Sequence, residues 1–154
     1  MTIHDSSAQT TLVVIDPASE HGEAGIQALD AQDRRVTLII PLHGRRSRSL
    51  REFAEAEDLD VATVGSIYLE QLASRIDQSD RDVTSISTDG SDFAADITSI
   101  VQRLSVSRVI VPTSLMATEG PGIRYLALAA NAPILITGQP DDTPPPRRLW
   151  RRVA

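Results

Sequence analysis

Short β-branched runs alternate along this chain with longer stretches of helical periodicity. Residues 11–15 (TLVVI) are continuously apolar and of strand length. Ile26, Leu29 and the alanines at 24, 28 and 31 predict a helix next, and residues 36–40 (VTLII) predict a second strand, stopped by Pro41. Ser49 and Glu52 stand at capping-box spacing before Phe53 and Ala54, which predicts a helix start there. Val64, Ile67, Tyr68 and Leu72 fall at i, i+3, i+4 and i+8, one face of a further helix that Ile76 extends by a turn. Residues 82–86 (DVTSI) predict a third, more polar strand, and Asp89-Gly90 predicts a turn. Phe93, Ile97, Ile100, Val101 and Leu104 line another helical face before a fourth strand at residues 108–111 (RVIV), stopped by Pro112. After Gly120-Pro121-Gly122, residues 123–130 read as a helix that starts there, and residues 133–137 (PILIT) as a fifth strand, stopped by Gly138.

Strands separated by helices make βαβ units, whose right-handed crossovers give a parallel sheet covered on both faces. The fold class is therefore α/β, a three-layer Rossmann-like domain on a five-stranded parallel sheet. Ligands in such sheets sit at the carboxyl ends of the strands, where strand order reverses. That rule selects Asp16, Pro41, Leu42, Pro112, Thr113 and Ser114.

Composition narrows the chemistry. With 154 residues the chain fits one domain, and with few aromatic residues its core is aliphatic. No cysteine is present, which excludes disulfides, thiolate metal sites and a cysteine nucleophile. The formal net charge of −6 argues against general nucleic-acid binding. No signal peptide and no apolar run of membrane-spanning length is visible, so the expected compartment is the cytoplasm, with no membrane partner. Residues 1–10 are expected to form a flexible N-terminus, residues 11–138 the domain, and residues 139–154 a Pro/Arg-rich tail in which Arg147, Arg148, Arg151 and Arg152 surround Leu149, Trp150 and Val153.

With these residues placed, the chain resembles the universal stress protein family over residues 11–138. Residues 12–19 (LVVIDPAS) look like that family's first strand and the acidic turn after it. Residues 88–90 (TDG), with Ala94, Ala95, Ile97 and Ile100, resemble the stretch leading into the helix before strand four. Residues 109–114 (VIVPTS) stand where the family has a strand ending in Gly-Ser or Gly-Thr, and residues 132–136 (APILI) are similar to its final Pro-Val strand. The resemblance implies strand order 3-2-1-4-5 and, in many members, pairing through the last strand, here Pro133, Ile134, Leu135, Ile136 and Thr137. It also implies ATP binding through Gly-x-x-Gly, a spacer of about nine residues, then Gly-Ser or Gly-Thr, with backbone N–H groups and a helix start on the phosphates. Here the pattern breaks. Gly120 stands at the motif's last glycine, but Pro121 replaces the hydroxyl residue, five residues separate Ser114 from Gly120, and no Gly-x-x-Gly fits. The phosphate loop reads as deleted, no cofactor is expected, and ATP or AMP would need a divergent pocket.

Each candidate has a plainer alternative. Asp16 either touches a ligand or hydrogen-bonds backbone N–H groups of its own turn, the commoner role. Gly120 and Gly122 either form an anion site at a helix start, where Pro121 is welcome, or merely begin the helix. Thr113 and Ser114 either contact a ligand or cap the local turn. His4, His21 and His43 show no metal-ligand spacing and no nucleophile partner, and read as surface residues. Arg45, Arg46, Arg48 and Arg51 read as a solvated basic stretch. The sequence thus points to a non-catalytic stress-response or signalling protein that acts as a homodimer and binds a protein partner. The alternative is a nucleotide-binding switch with a divergent pocket.

Overall fold

The apolar runs form strands β1 (Thr10–Val14), β2 (Arg35–Pro41), β3 (Asp82–Thr88), β4 (Val106–Pro112) and β5 (Ile134–Thr137). A computed structural model describes residues 10–19, 24–42, 47–79, 81–88, 92–129 and 132–137. All four pairings are parallel, and the order is β3-β2-β1-β4-β5, the arrangement the resemblance implied. Helices α1 (Arg48–Ala56), α2 (Val61–Ala73), α3 (Phe93–Arg103) and α4 (Met116–Ala129) carry the crossovers. His4, His21, His43, Arg45, Arg46, the Asp89-Gly90 turn and the whole tail beyond Thr137 lie outside the described residues.

The period of two along each strand separates two cores. Val13, Ile15, Val36, Leu38, Ile40 and Ile110 face α1 and α2, where Leu50, Val64, Tyr68, Leu69 and Leu72 meet them. Leu12, Val14, Ile39, Val109 and Val111 face α3 and α4, against Phe93, Ile97, Ile100, Val101, Ile123 and Leu126. Central β1 is buried along its whole length, as a strand covered on both faces requires.

Several local expectations are corrected. Where a helix is expected after β1, the described residues make a 3-10 turn, Ala24–Ala28, in which Gly25 presses on the sheet: a Cβ there would lie 2.9 Å from both Ile110 and Val13. Ser49 does not begin α1. The helix opens two residues earlier, behind Ser47, whose hydroxyl accepts from Arg51 Nε at 3.1 Å instead of capping the helix, so no capping box forms with Glu52. On α2, Val64, Tyr68 and Leu72 are buried as expected but Ile67 is 36% exposed; Gly65 and Leu69 take its place, Gly65 fitting closely against Leu42. Asp92 caps α3 by accepting from the Ala95 N–H at 3.2 Å. At the other end Ser105 adopts φ 52°, turning the chain straight into β4.

At the amino edge of the sheet one buried carboxylate, Asp33, draws four segments together. It accepts from Thr11 Oγ1 of β1 (2.6 Å), from the Asp30 N–H (2.8 Å), and from Arg108 of β4 through Nε (3.2 Å) and Nη2 (2.7 Å). Its backbone carbonyl accepts from Arg81, just before β3, at 2.7 Å, and Arg81 also reaches the Asp30 carbonyl at 2.6 Å. Burial opposes ionisation of Asp33. Hydrogen bonds from Arg108, Thr11 and the Asp30 N–H, together with the Arg108 charge, outweigh it and hold the carboxyl below its usual range, while the bond to Asp33 raises Arg108. Because the folded value is depressed, this stabilisation is complete above the unfolded value of about 3.9 and is lost as pH falls through the folded value. Asp33→Asn is expected to lower stability at pH 7 by about 1–3 kcal/mol. It is also expected to flatten the acid limb of the stability profile, as urea unfolding between pH 7 and pH 3 would measure. An acid limb unchanged in the variant would assign the effect to another group.

Candidate functional site

The strand order reverses between β1 and β4, so the fold's natural ligand position is the carboxyl end of that pair. Asp16 lies there, fully buried, two residues past β1. Its Oδ1 accepts from the Ala18 N–H at 3.0 Å, the local turn bond expected of an aspartate in this position. Its Oδ2 accepts from Ser114 Oγ at 2.5 Å, across 98 residues of sequence. Ser114 is buried in the 3-10 turn Thr113–Leu115 that follows β4 directly. The two strand ends are therefore bolted to each other where a ligand would part them.

The other edge candidates are similarly engaged. Thr113 Oγ1 donates to the Thr137 carbonyl at 2.9 Å, tying the end of β4 to the end of β5. Pro41 and Leu42 are buried. The Leu42 N–H donates to the Thr88 carbonyl at 2.6 Å, and its own carbonyl accepts from Arg51 Nη2. Arg51 thus reaches from α1 to hold the end of β2. Nothing in the spacing of the basic stretch singled it out, because its partner is a main-chain atom. The hydroxyls of Thr88 and Thr137, at the ends of the two edge strands, are buried without a partner among the described residues.

Gly120, Pro121 and Gly122 do not begin a helix. Helix α4 starts at Met116, immediately after the 3-10 turn, and runs through all three. Pro121 therefore sits inside the helix, where it cannot donate to the carbonyl of residue 117. In a helix interior, backbone N–H groups bond the carbonyl four residues earlier rather than facing a ligand. Gly122 serves packing instead: a Cβ there would lie 3.3 Å from the Ala94 side chain of α3, whereas a Cβ on Gly120 would meet open space.

Pro133, Ile134, Leu135, Ile136 and Thr137 stand at the sheet's outer edge, with β5 pairing only to β4 among the described residues. Ile134 packs toward α3 and α4, so Ile136 shares that face and Leu135 the opposite one. Both remain exposed, Leu135 by 40% and Ile136 by 39%. Clefts of about 440 Å³, lined in part by Thr11, Asp33 and Arg108, and about 540 Å³, lined by Arg34, Asp77 and Arg81, open at the amino edge, opposite the expected ligand position. Among the described residues no group of three or more His, Asp or Glu side chains is placed to hold a metal ion, and no helix is long and apolar enough to cross a membrane.

Neither a family model nor any curated protein matches the sequence. Solved structures do match its fold. The hypothetical protein PH0823 superposes with TM-score 0.60 at 18% identity, covering 88% of this chain and 99% of its own. The hypothetical protein MJ0577, the subject of a structure-based assignment of biochemical function, gives 0.64 at 15% identity, with 89% and 99% covered. A universal stress protein in complex with cAMP gives 0.53 at 12% identity, with 84% and 95% covered. The chain shares the universal stress protein fold.

Ser114→Ala is expected to leave the buried Asp16 carboxylate short of a donor and to lower stability by about 1–3 kcal/mol, measured by urea unfolding. An unchanged midpoint would mean that the bond between the two strand ends contributes nothing to the fold.

Proposed function

We propose that this chain is a non-catalytic stress-response or signalling protein that pairs with a second copy through β5 and binds a protein partner, without tight ATP binding. The observation that carries the reading is the contrast between the two places such a fold uses. At the carboxyl ends of β1 and β4, Asp16 bonds Ser114, and β4 passes into α4 through the three-residue turn Thr113–Leu115. The β5 edge, by contrast, is unpaired among the described residues and apolar on both faces. An open edge strand of that kind is a template for another chain. The fold shared with a universal stress protein supports the stress-response setting.

Light scattering is expected to report a dimer for the full-length chain and for a version ending at Gly138, and a monomer for Leu135→Arg. Monomers throughout would remove pairing from the reading.

A second reading, a nucleotide-binding switch with a divergent pocket, is favoured by the structural neighbour that holds cAMP. It requires the Asp16–Ser114 bond to open. Ultraviolet and mass spectra of small molecules released from purified protein are expected to show no nucleotide. ATP, AMP and cAMP with Mg²⁺ are expected to leave the melting temperature unmoved. A co-purified nucleotide, or a melting shift abolished by Asp16→Ala, would reverse the preference.

A further inference from the structure

Helix α1 ends in a tight reversal. Asp58 takes the left-handed conformation at φ 57°, its N–H donates to the Glu55 carbonyl at 3.2 Å, and the Leu59 N–H donates to the Ala54 carbonyl at 2.8 Å. In this six-to-one arrangement the residue in the Leu59 position ordinarily folds back onto its own helix. Leu59 instead remains 43% exposed at the corner between α1 and α2, and Ile67 is 36% exposed two turns along α2. Glu55, Glu57, Asp58 and Asp60 flank Leu59, are all exposed, and make no ion pair among the described residues. Asp60 stands at the N-cap of α2 without capping it. An apolar tip ringed by exposed carboxylates calls for a segment that is apolar at its centre and basic on its flanks.

The chain carries one. Residues 147–153 (RRLWRRV) set Leu149 and Trp150 between Arg147, Arg148, Arg151 and Arg152, four positive charges in a protein of net charge −6. We infer that the α1–α2 corner is a docking surface for this C-terminal segment of the same chain, with Leu149 and Trp150 against Leu59 and the arginines among the four carboxylates. Trp and Arg are the side chains most enriched where binding energy concentrates. The path is short enough. Helix α2 runs back toward the start of β3, so the corner lies on the carboxyl side of the sheet, the side on which β5 ends. With neighbouring strands about 4.8 Å apart, three steps from β5 to β2 cover about 15 Å. Ten proline-rich residues, 138–147, are long enough to span about 30 Å at about 3.1 Å per residue.

Trp150 is the chain's only tryptophan, so intrinsic fluorescence of the full-length protein reads its surroundings directly. Acrylamide is expected to quench Trp150 a few-fold less in the unaltered protein than in Glu57→Lys/Leu59→Ser, independent of protein concentration. Arg148→Glu/Arg151→Glu, which changes none of the described residues, is expected to expose Trp150 equally. Quenching in the unaltered protein as strong as in these variants would overturn the inference. Protection that survives the corner substitutions, or that Leu135→Arg abolishes, would place the segment elsewhere and also overturn it. Protection that falls on dilution would overturn it in favour of a second copy's tail. Light scattering on the same samples reads pairing through β5 separately.

Discussion

A parallel sheet needs its strands aligned at the edge where they start, and here that alignment hangs on one carboxylate. Asp33 sits just before β2, yet it bonds Thr11 on β1 and Arg108 on β4, while its carbonyl holds Arg81 ahead of β3. Four of the five strands thus take their starting position from a single residue. The ion pair is largely withdrawn from water and saturated with donors, the condition under which a buried charge is tolerated. The accompanying irregularity is small: the β1–β4 register shifts between Thr10 and Thr11, and Ser107 bonds the Thr10 carbonyl at 3.3 Å in the gap.

The two edges of the sheet divide their work differently from the usual α/β plan. At the carboxyl edge, side chains fasten neighbouring segments to one another: Asp16 to Ser114, Thr113 to Thr137, and Arg51 to Leu42. Clefts of about 440 and 540 Å³ open at the amino edge, among the neighbours of Asp33, and another of about 510 Å³ lies between α3 and α4, lined in part by Asp92, Thr98 and Tyr125. Among the described residues, large exposed apolar side chains lie on β5, at the α1–α2 corner and along α2, and at Tyr125 of α4. The open β5 edge and the exposed apolar corner are the surfaces on which the proposed association rests.

Strand existence, parallel direction and the sheet's edges were legible because each strand is a β-branched run closed by Pro, Asp or Gly, and such runs have few other homes. Helix starts were less legible. Ser49 and Glu52 have the spacing of a capping box, but Ser47 spends its hydroxyl on Arg51, a contact that depends on where α1 meets the end of β2. Pro121 between two glycines reads as a boundary, yet α4 runs through it, because Gly122 must sit inside the helix for α4 to approach Ala94. Asp16 was found by its place after the first strand. Ser114 was named with it, but their bond spans 98 residues and left no local trace. Asp33 escaped notice for the same reason: one aspartate in a polar turn looks like any other until its partners arrive from β1 and β4.

The position of β1 also sets a timetable. It precedes the other four strands in the chain and is the central strand of the finished sheet. β1 can pair with β2, and β2 with β3, once residue 88 has emerged, but the other side of β1 stays unpaired until β4 is complete at residue 112. At usual synthesis rates those intervening residues take about 1–5 s. Through that interval an apolar, fully extended strand has a bare edge, so the stretch carrying α3 works as a waiting period as well as a crossover.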